Sequence, residues 1–97
     1  GAIQIETRFT PGHAPGHVAY FLPHQQILIG GDCLFAGSIG RTDFPFCDYQ
    51  TLMESIFKQI IPLGPDIRVY PGHMGATTIG NECQRNTFLI DYANRSL

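Results

Sequence analysis

Three apolar runs in this chain each end on a glycine-bearing turn, and each turn delivers a side chain able to bind a metal. The turns are Thr10-Pro11-Gly12-His13-Ala14-Pro15-Gly16-His17, Gly30-Gly31-Asp32 and Pro71-Gly72-His73. Proline presets φ, and glycine gives the backbone the freedom for a sharp reversal. His13 and His17 are four apart, but Gly12, Pro15 and Gly16 keep that segment from being one face of a helix. The pattern therefore predicts strands whose ends hold imidazoles and a carboxylate on loops. His13, Asp32 and His73 are expected to meet at one rim of a sheet. Each has a plainer alternative: the histidines as polar turn residues, and Asp32 as the N-cap of a short helical turn over 33–35.

The elements follow in order. Residues 3–9 alternate apolar and polar, the period of a half-buried strand. Residues 18–22 are β-prone without alternation, which fits a strand covered on both faces. Residues 23–26 read as a hairpin turn, with 27–29 as the returning strand and His24 solvated at its tip. Residues 36–46 read as a loop. Its cation, Arg41, lies two residues from Asp43 and is either half of a surface ion pair or a hook for a substrate carboxylate. Over 49–61 apolar residues fall at Tyr49, Leu52, Met53, Ile56, Phe57, Ile60 and Ile61, the stripe of an amphipathic helix. Asp48 caps its start, Pro62 and Gly64 close it, and Glu54 and Lys58 pair on its outer face. Residues 66–70 read as a strand, 75–78 as a polar segment, 79–85 as a short helix, and 87–97 as a weakly helical tail. The sum is one α/β unit of about four strands plus two or three helices.

Composition narrows the partners. The chain has 97 residues, one domain's worth, and a formal net charge of −2 with no Lys/Arg cluster. Neither nucleic acid nor an anionic membrane is an expected partner. The longest apolar run, Val18–Leu22, is far too short to span a bilayer, and no signal-peptide pattern opens the sequence. Cys33, Cys47 and Cys83 form no CxxC pair and no disulfide framework, so reduced thiols and a cytoplasmic location are expected. Cys33, beside Asp32, is a minor candidate for a ligand or redox role.

Two imidazoles and one carboxylate suit Zn²⁺, Fe²⁺ or Mn²⁺. As an ordered set, the motif around His13 and His17, Gly31-Asp32, Gly40-Arg41-Thr42-Asp43-Phe44-Pro45 and Pro71-Gly72-His73 resembles the metallo-β-lactamase superfamily. The nearest branch is the glyoxalase II-like hydroxyacylglutathione hydrolases, over about residues 10–89. The resemblance implies that His13 binds one metal, Asp32 bridges two and His73 binds the second. It implies that His17 supports the site without ligating, and that Arg41 faces the glutathione carboxylate. The implied reaction is hydrolysis of a glutathione thioester by metal-activated water, with two zinc ions in the intact site and iron or manganese as alternatives.

The family's His-x-His-x-Asp-His run is missing from this sequence. By that resemblance the whole chain, 1–97, is the C-terminal half of an αββα sandwich, part of a longer polypeptide, with an incomplete metal site and no turnover alone. A half-sandwich leaves an apolar sheet face open, so a homodimer through that face is expected. Two other readings stand beside the hydrolase: a persulfide dioxygenase with one iron, whose family shares the Gly-Arg-Thr-Asp-Phe loop, and a non-catalytic oligomerising half-domain.

Overall fold

The computed structural model describes residues 3–14, 16–43, 45–72 and 75–95. Five strands form the main sheet in the order β1-β2-β3-β6-β7: β1 (Glu6–Phe9), β2 (Val18–Leu22), β3 (Ile27–Gly31), β6 (Arg68–Pro71) and β7 (Thr77–Thr78). β3 and β6 run parallel, and the other pairs are antiparallel. A separate two-stranded hairpin, β4 (Leu34–Phe35) with β5 (Ser38–Ile39), and the helix α1 (Tyr49–Ser55) lie on the crossover from β3 to β6. Two further helices, α2 (Ile79–Arg85) and α3 (Thr87–Arg95), close the chain.

The expected helix over 49–61 is present as one winding path in three hydrogen-bonding patterns. Asp48 caps α1 by accepting from the Thr51 amide at 2.9 Å. The path then widens to a π-type segment (Ile56–Ile60) and tightens to a 3-10 turn (Ile61–Leu63). Pro62, which has no N–H to donate, sits in that last turn, and Gly64 ends it at φ +123°. Glu54 accepts from Gln50 at 3.1 Å; its outer-face partner is thus one turn before it, where Lys58, one turn after it, was expected.

The apolar stripe of this path covers one face of the sheet. Leu52, Met53, Ile56 and Ile60 are fully buried, and they join Ala19, Phe21, Leu28 and Val69 from the strands in a single core. Removing one such Leu or Ile side chain to Ala costs about 2–5 kcal/mol.

Three expectations change. Burial alternates along β2, so that strand is covered on one face rather than two: Tyr20 is 43% exposed while Ala19 and Phe21 are buried. The register places Tyr20, Ile29 and Tyr70 side by side on the uncovered face, at 43, 47 and 42% exposure. The unalternating sequence encodes two apolar faces, and the described helices cover one. Second, no helical turn follows Asp32. Gly40 donates to Cys33 O at 3.1 Å, and this pairing pulls 34–35 and 38–39 into a hairpin out of the expected loop. Third, the first strand begins only at Glu6, and the described residues hold seven strands; the three beyond the expected four, β4, β5 and β7, have two residues each.

Candidate metal centre

The loop from Thr10 to His17 is closed at its base, where the Thr10 amide donates to His17 O at 2.9 Å. From outside, α1 and the residues before it grip three successive carbonyls. Ser55 Oγ donates to Pro11 O at 2.8 Å, the Asp48 amide to Gly12 O at 2.8 Å, and Cys47 Sγ to His13 O at 3.0 Å. Gly12 has φ +131°, and a Cβ there would run into the backbone of Leu52. Glycine is therefore required twice over, for its dihedral and for the close approach of α1.

His13 Nδ1 lies 2.9 Å from Arg41 O. A carbonyl only accepts, so Nδ1 carries a proton, which leaves Nε2 as the nitrogen that could bind an ion. That Nε2 stands 3.8 Å from Asp32 Oδ2. An ion at the usual 2.0–2.2 Å or so from each donor spans such a gap, and a backbone carbonyl on the far nitrogen is the common support of a ligating histidine. The pair thus fits a divalent metal. Asp32 reaches it because β3 slips register against β6 at Gly30, and Gly31, at φ +57°, turns the chain out of the sheet. The Gly72 amide donates to Gly31 O at 2.8 Å, and a Cβ on Gly72 would stand 2.8 Å from Asp32 Oδ1. His73 lies outside the described residues. Among the described residues no group of three His, Cys, Asp or Glu side chains assembles for a metal.

His17 is engaged at both ring nitrogens. Nε2 accepts from the Asp32 amide at 3.3 Å, so Nδ1 carries the proton and donates to Thr10 Oγ1 at 2.8 Å. Neither lone pair is left for an ion in this geometry. Burial lowers the His17 pKa, with His13 adding to the effect and Asp32 and Thr10 opposing it. His17 thereby ties Asp32 to the loop that holds His13.

Arg41 makes the ion pair with Asp43 that the spacing allows. Its guanidinium grips Asp43 bidentately, Nε to Oδ1 at 2.8 Å and Nη2 to Oδ2 at 2.7 Å, with both side chains well exposed. The Arg41 hydrogen bonds hold the Asp43 carboxyl down at about 2. The pair stands at an open cavity of about 300 Å³, walled by Ser38, Ile39, Tyr49 and Phe88. Cys33 is fully buried, and that burial pushes its thiol up to about 12 against a hydrogen bond from Thr10.

Over residues 4–73 the chain matches the profile of the metallo-beta-lactamase superfamily. The chain belongs to that superfamily. It is 48% identical over 85 residues to the hydroxyacylglutathione hydrolase GloC of Haemophilus influenzae, covering 88% of this chain and 40% of that protein. It is 38% identical over 73 residues to the mitochondrial persulfide dioxygenase ETHE1 of Homo sapiens, covering 75% of this chain and 29% of that protein. Among solved structures, the B3 metallo-beta-lactamase BLEG-1 superposes with a TM-score of 0.88 at 43% identity, covering 92% of this chain and 43% of that one. TTHA1623 in its di-iron-bound form gives 0.84 at 42% identity, covering 88% and 42%. The chain spans about two fifths of the length of the hydroxyacylglutathione hydrolase it matches. Its α/β sheet and helices are therefore a part of the metallo-β-lactamase fold, whose members include metal-dependent hydrolases.

Within this superfamily member, sequence reasoning missed two supporting residues. Thr10, fully buried, orients His17; its place at the head of the first turn was a usable signal. Glu82, 1% exposed, anchors the hairpin that leads to Arg41. Nothing in a lone glutamate on a seven-residue helix marks it.

Proposed function

We propose that the complete protein to which these 97 residues belong is a metal-dependent hydrolase of glutathione thioesters. The observation that carries this reading is the 48% identity to a hydroxyacylglutathione hydrolase across 88% of the chain. In this reading His13 Nε2, Asp32 and His73 are ligands, with Asp32 bridging two ions, zinc by preference. A divalent ion in such a site supplies activated water near neutral pH and polarises the thioester carbonyl. The chain's own residues do the rest. Arg41 O fixes the His13 tautomer, His17 holds the Asp32 turn, and Arg41 exchanges Asp43 for a glutathione carboxylate. The three unpaired cysteines accord with a cytoplasmic setting.

A second reading, a persulfide dioxygenase, is favoured by the 38% identity to ETHE1. The test is the complete protein, assayed on lactoylglutathione and on glutathione persulfide with its metal content measured. Thiol release from lactoylglutathione with two ions per chain supports the hydrolase. Oxygen uptake on the persulfide with one iron overturns it in favour of the dioxygenase.

These 97 residues by themselves are expected to be inactive and to pair as a dimer. Tyr20, Ile29 and Tyr70 form a row that reads the same from either end, so a two-fold axis through Ile29 sets the row of a second copy upon it. Light scattering on this chain is expected to give twice the monomer mass, and Ile29→Asp the monomer mass. A monomer mass for the unaltered chain at every concentration, or turnover of lactoylglutathione by it, contradicts this.

A further inference from the structure

A buried acid sits far along the chain from His13 and Asp32, held by neutral donors. Glu82, on α2, is 1% exposed. Its carboxylate accepts four neutral donors. Oε1 takes the Gly37 amide at 2.8 Å and Asn86 Nδ2 at 3.0 Å; Oε2 takes Thr77 Oγ1 at 2.6 Å and Asn81 Nδ2 at 3.3 Å. Burying a carboxylate is costly unless its lone pairs are filled, and here they are filled. Asn86, itself fully buried, repeats the grip: Nδ2 also donates to Ser38 O at 3.0 Å, while Oδ1 accepts the Phe88 amide at 3.0 Å at the start of α3.

Gly37 lies in the Ala36–Gly37 turn of the β4–β5 hairpin, and Ser38 is the first residue of β5. Two residues beyond Ser38 comes Gly40, packed so closely that a Cβ there would collide with Asp32 O and lie 3.2 Å from His13 Cβ. Next comes Arg41, whose carbonyl takes the His13 Nδ1 proton. The hairpin is therefore a short rigid arm. One end is held in a buried socket by Glu82 and Asn86, and the other supplies the hydrogen bond that sets the His13 tautomer.

We propose that Glu82, together with Asn86, is a positioning residue for the metal centre: it fixes the β4–β5 arm so that Arg41 O holds His13 with Nε2 facing Asp32. The inference rests on His13 being a metal ligand, but it is read out on the tautomer, which does not depend on metal or turnover. An ionised carboxylate suits the role because all its sites accept. A glutamine in the same shape keeps one oxygen for Gly37 and Asn86, and Thr77 can turn its hydroxyl to accept. An alanine leaves the Gly37 amide without its socket.

The experiment is ¹⁵N NMR of the metal-free chain, at a pH above the ordinary imidazole range, on the unaltered protein, Glu82→Gln and Glu82→Ala. In the unaltered protein the Gly37 amide is expected to exchange slowly and His13 to be the Nδ1–H tautomer. Glu82→Gln is expected to retain both. Glu82→Ala is expected to speed Gly37 exchange at least tenfold and to shift His13 toward a mixture of tautomers, while the Thr10–His17 signals stay in place. If Glu82→Ala does not fold, Ser38→Pro and Asn86→Ala, which loosen the same arm from other points, carry the test with the same expected outcome. A fast-exchanging Gly37 amide in the unaltered protein overturns the proposal. So does a loosened Gly37 with His13 still wholly Nδ1–H. The failure of the hydrolase reading would leave these signals unmoved.

Discussion

The two loops that meet at the metal pair are built in opposite ways. The His13 loop is gripped at three consecutive carbonyls, closed by Thr10 and packed against α1 at a glycine with no room for a Cβ. The Arg41 loop is anchored at its root by Glu82 and Asn86, but its tip ends in an exposed ion pair of its own residues. The first loop must hold an imidazole within tenths of an ångström of one place, since metal bonds tolerate little error. In the proposed function the second would let a guanidinium move from an internal carboxylate to one arriving with a substrate, and an exposed pair of small net value allows that. Rigidity is concentrated where a metal would bind and relaxed where a substrate would bind.

The sharpest way to break this contrast is to add a methyl group on each side. Gly12→Ala forces a Cβ into the Leu52 backbone at a positive φ and is expected to cost about 3 kcal/mol or more. Gly37→Ala, at φ +78° but in open space, is expected to cost only about 1 kcal/mol. Urea denaturation of both variants measures the gap; equal costs would mean that the His13 loop is not packed as described. Next in size, Thr10→Val keeps the shape and removes the hydroxyl that orients His17, an expected loss of about 1–2 kcal/mol. Denaturation combined with a fall in Zn²⁺ affinity would tie that loss to the site.

The anchor of the Arg41 loop has a pH signature. Burial alone would raise the Glu82 pKa; the donors from Thr77, Gly37, Asn86 and Asn81 overcome it and leave the carboxyl below its ordinary value of 4.5. A depressed carboxyl stabilises the fold above that ordinary value, and the contribution is lost as the pH falls below it toward the folded-state value. The unaltered chain is therefore expected to lose stability on acidification more steeply than Glu82→Gln, followed by urea midpoints across that range. Smallest of all for stability, Arg41→Ala is expected to leave the denaturation midpoint unchanged. In the complete protein it is expected to raise KM for a glutathione thioester about tenfold at constant kcat, the mark of lost ground-state binding.

Much of this was legible before any coordinates. The helix start at Tyr49, its Asp48 cap, its Gly64 stop and the short helix over 79–85 follow from local patterns that need no tertiary context. Glycine and proline mark the turns where strands end, and two of the three side chains expected at one rim, His13 and Asp32, stand 3.8 Å apart; the third, His73, lies outside the described residues. What the residues hid was long-range. Leu34–Phe35 and Ser38–Ile39 are too short to carry a periodicity, and they pair because Gly40 must reach Cys33 O. The exposure of Tyr20 depends on what covers the sheet, which a strand's own residues do not specify. The two-point grip of Arg41 on Asp43 is likewise a matter of loop geometry that the two-residue spacing allows but does not specify.

The shared ion between His13 and Asp32 is the claim on which the rest stands. Its most direct test is anomalous diffraction at the zinc edge from crystals of the complete, zinc-loaded protein. The account predicts a peak within bonding distance of both His13 Nε2 and the Asp32 carboxylate. A peak coordinated elsewhere, with these two side chains still 3.8 Å apart and bridging nothing, would contradict it.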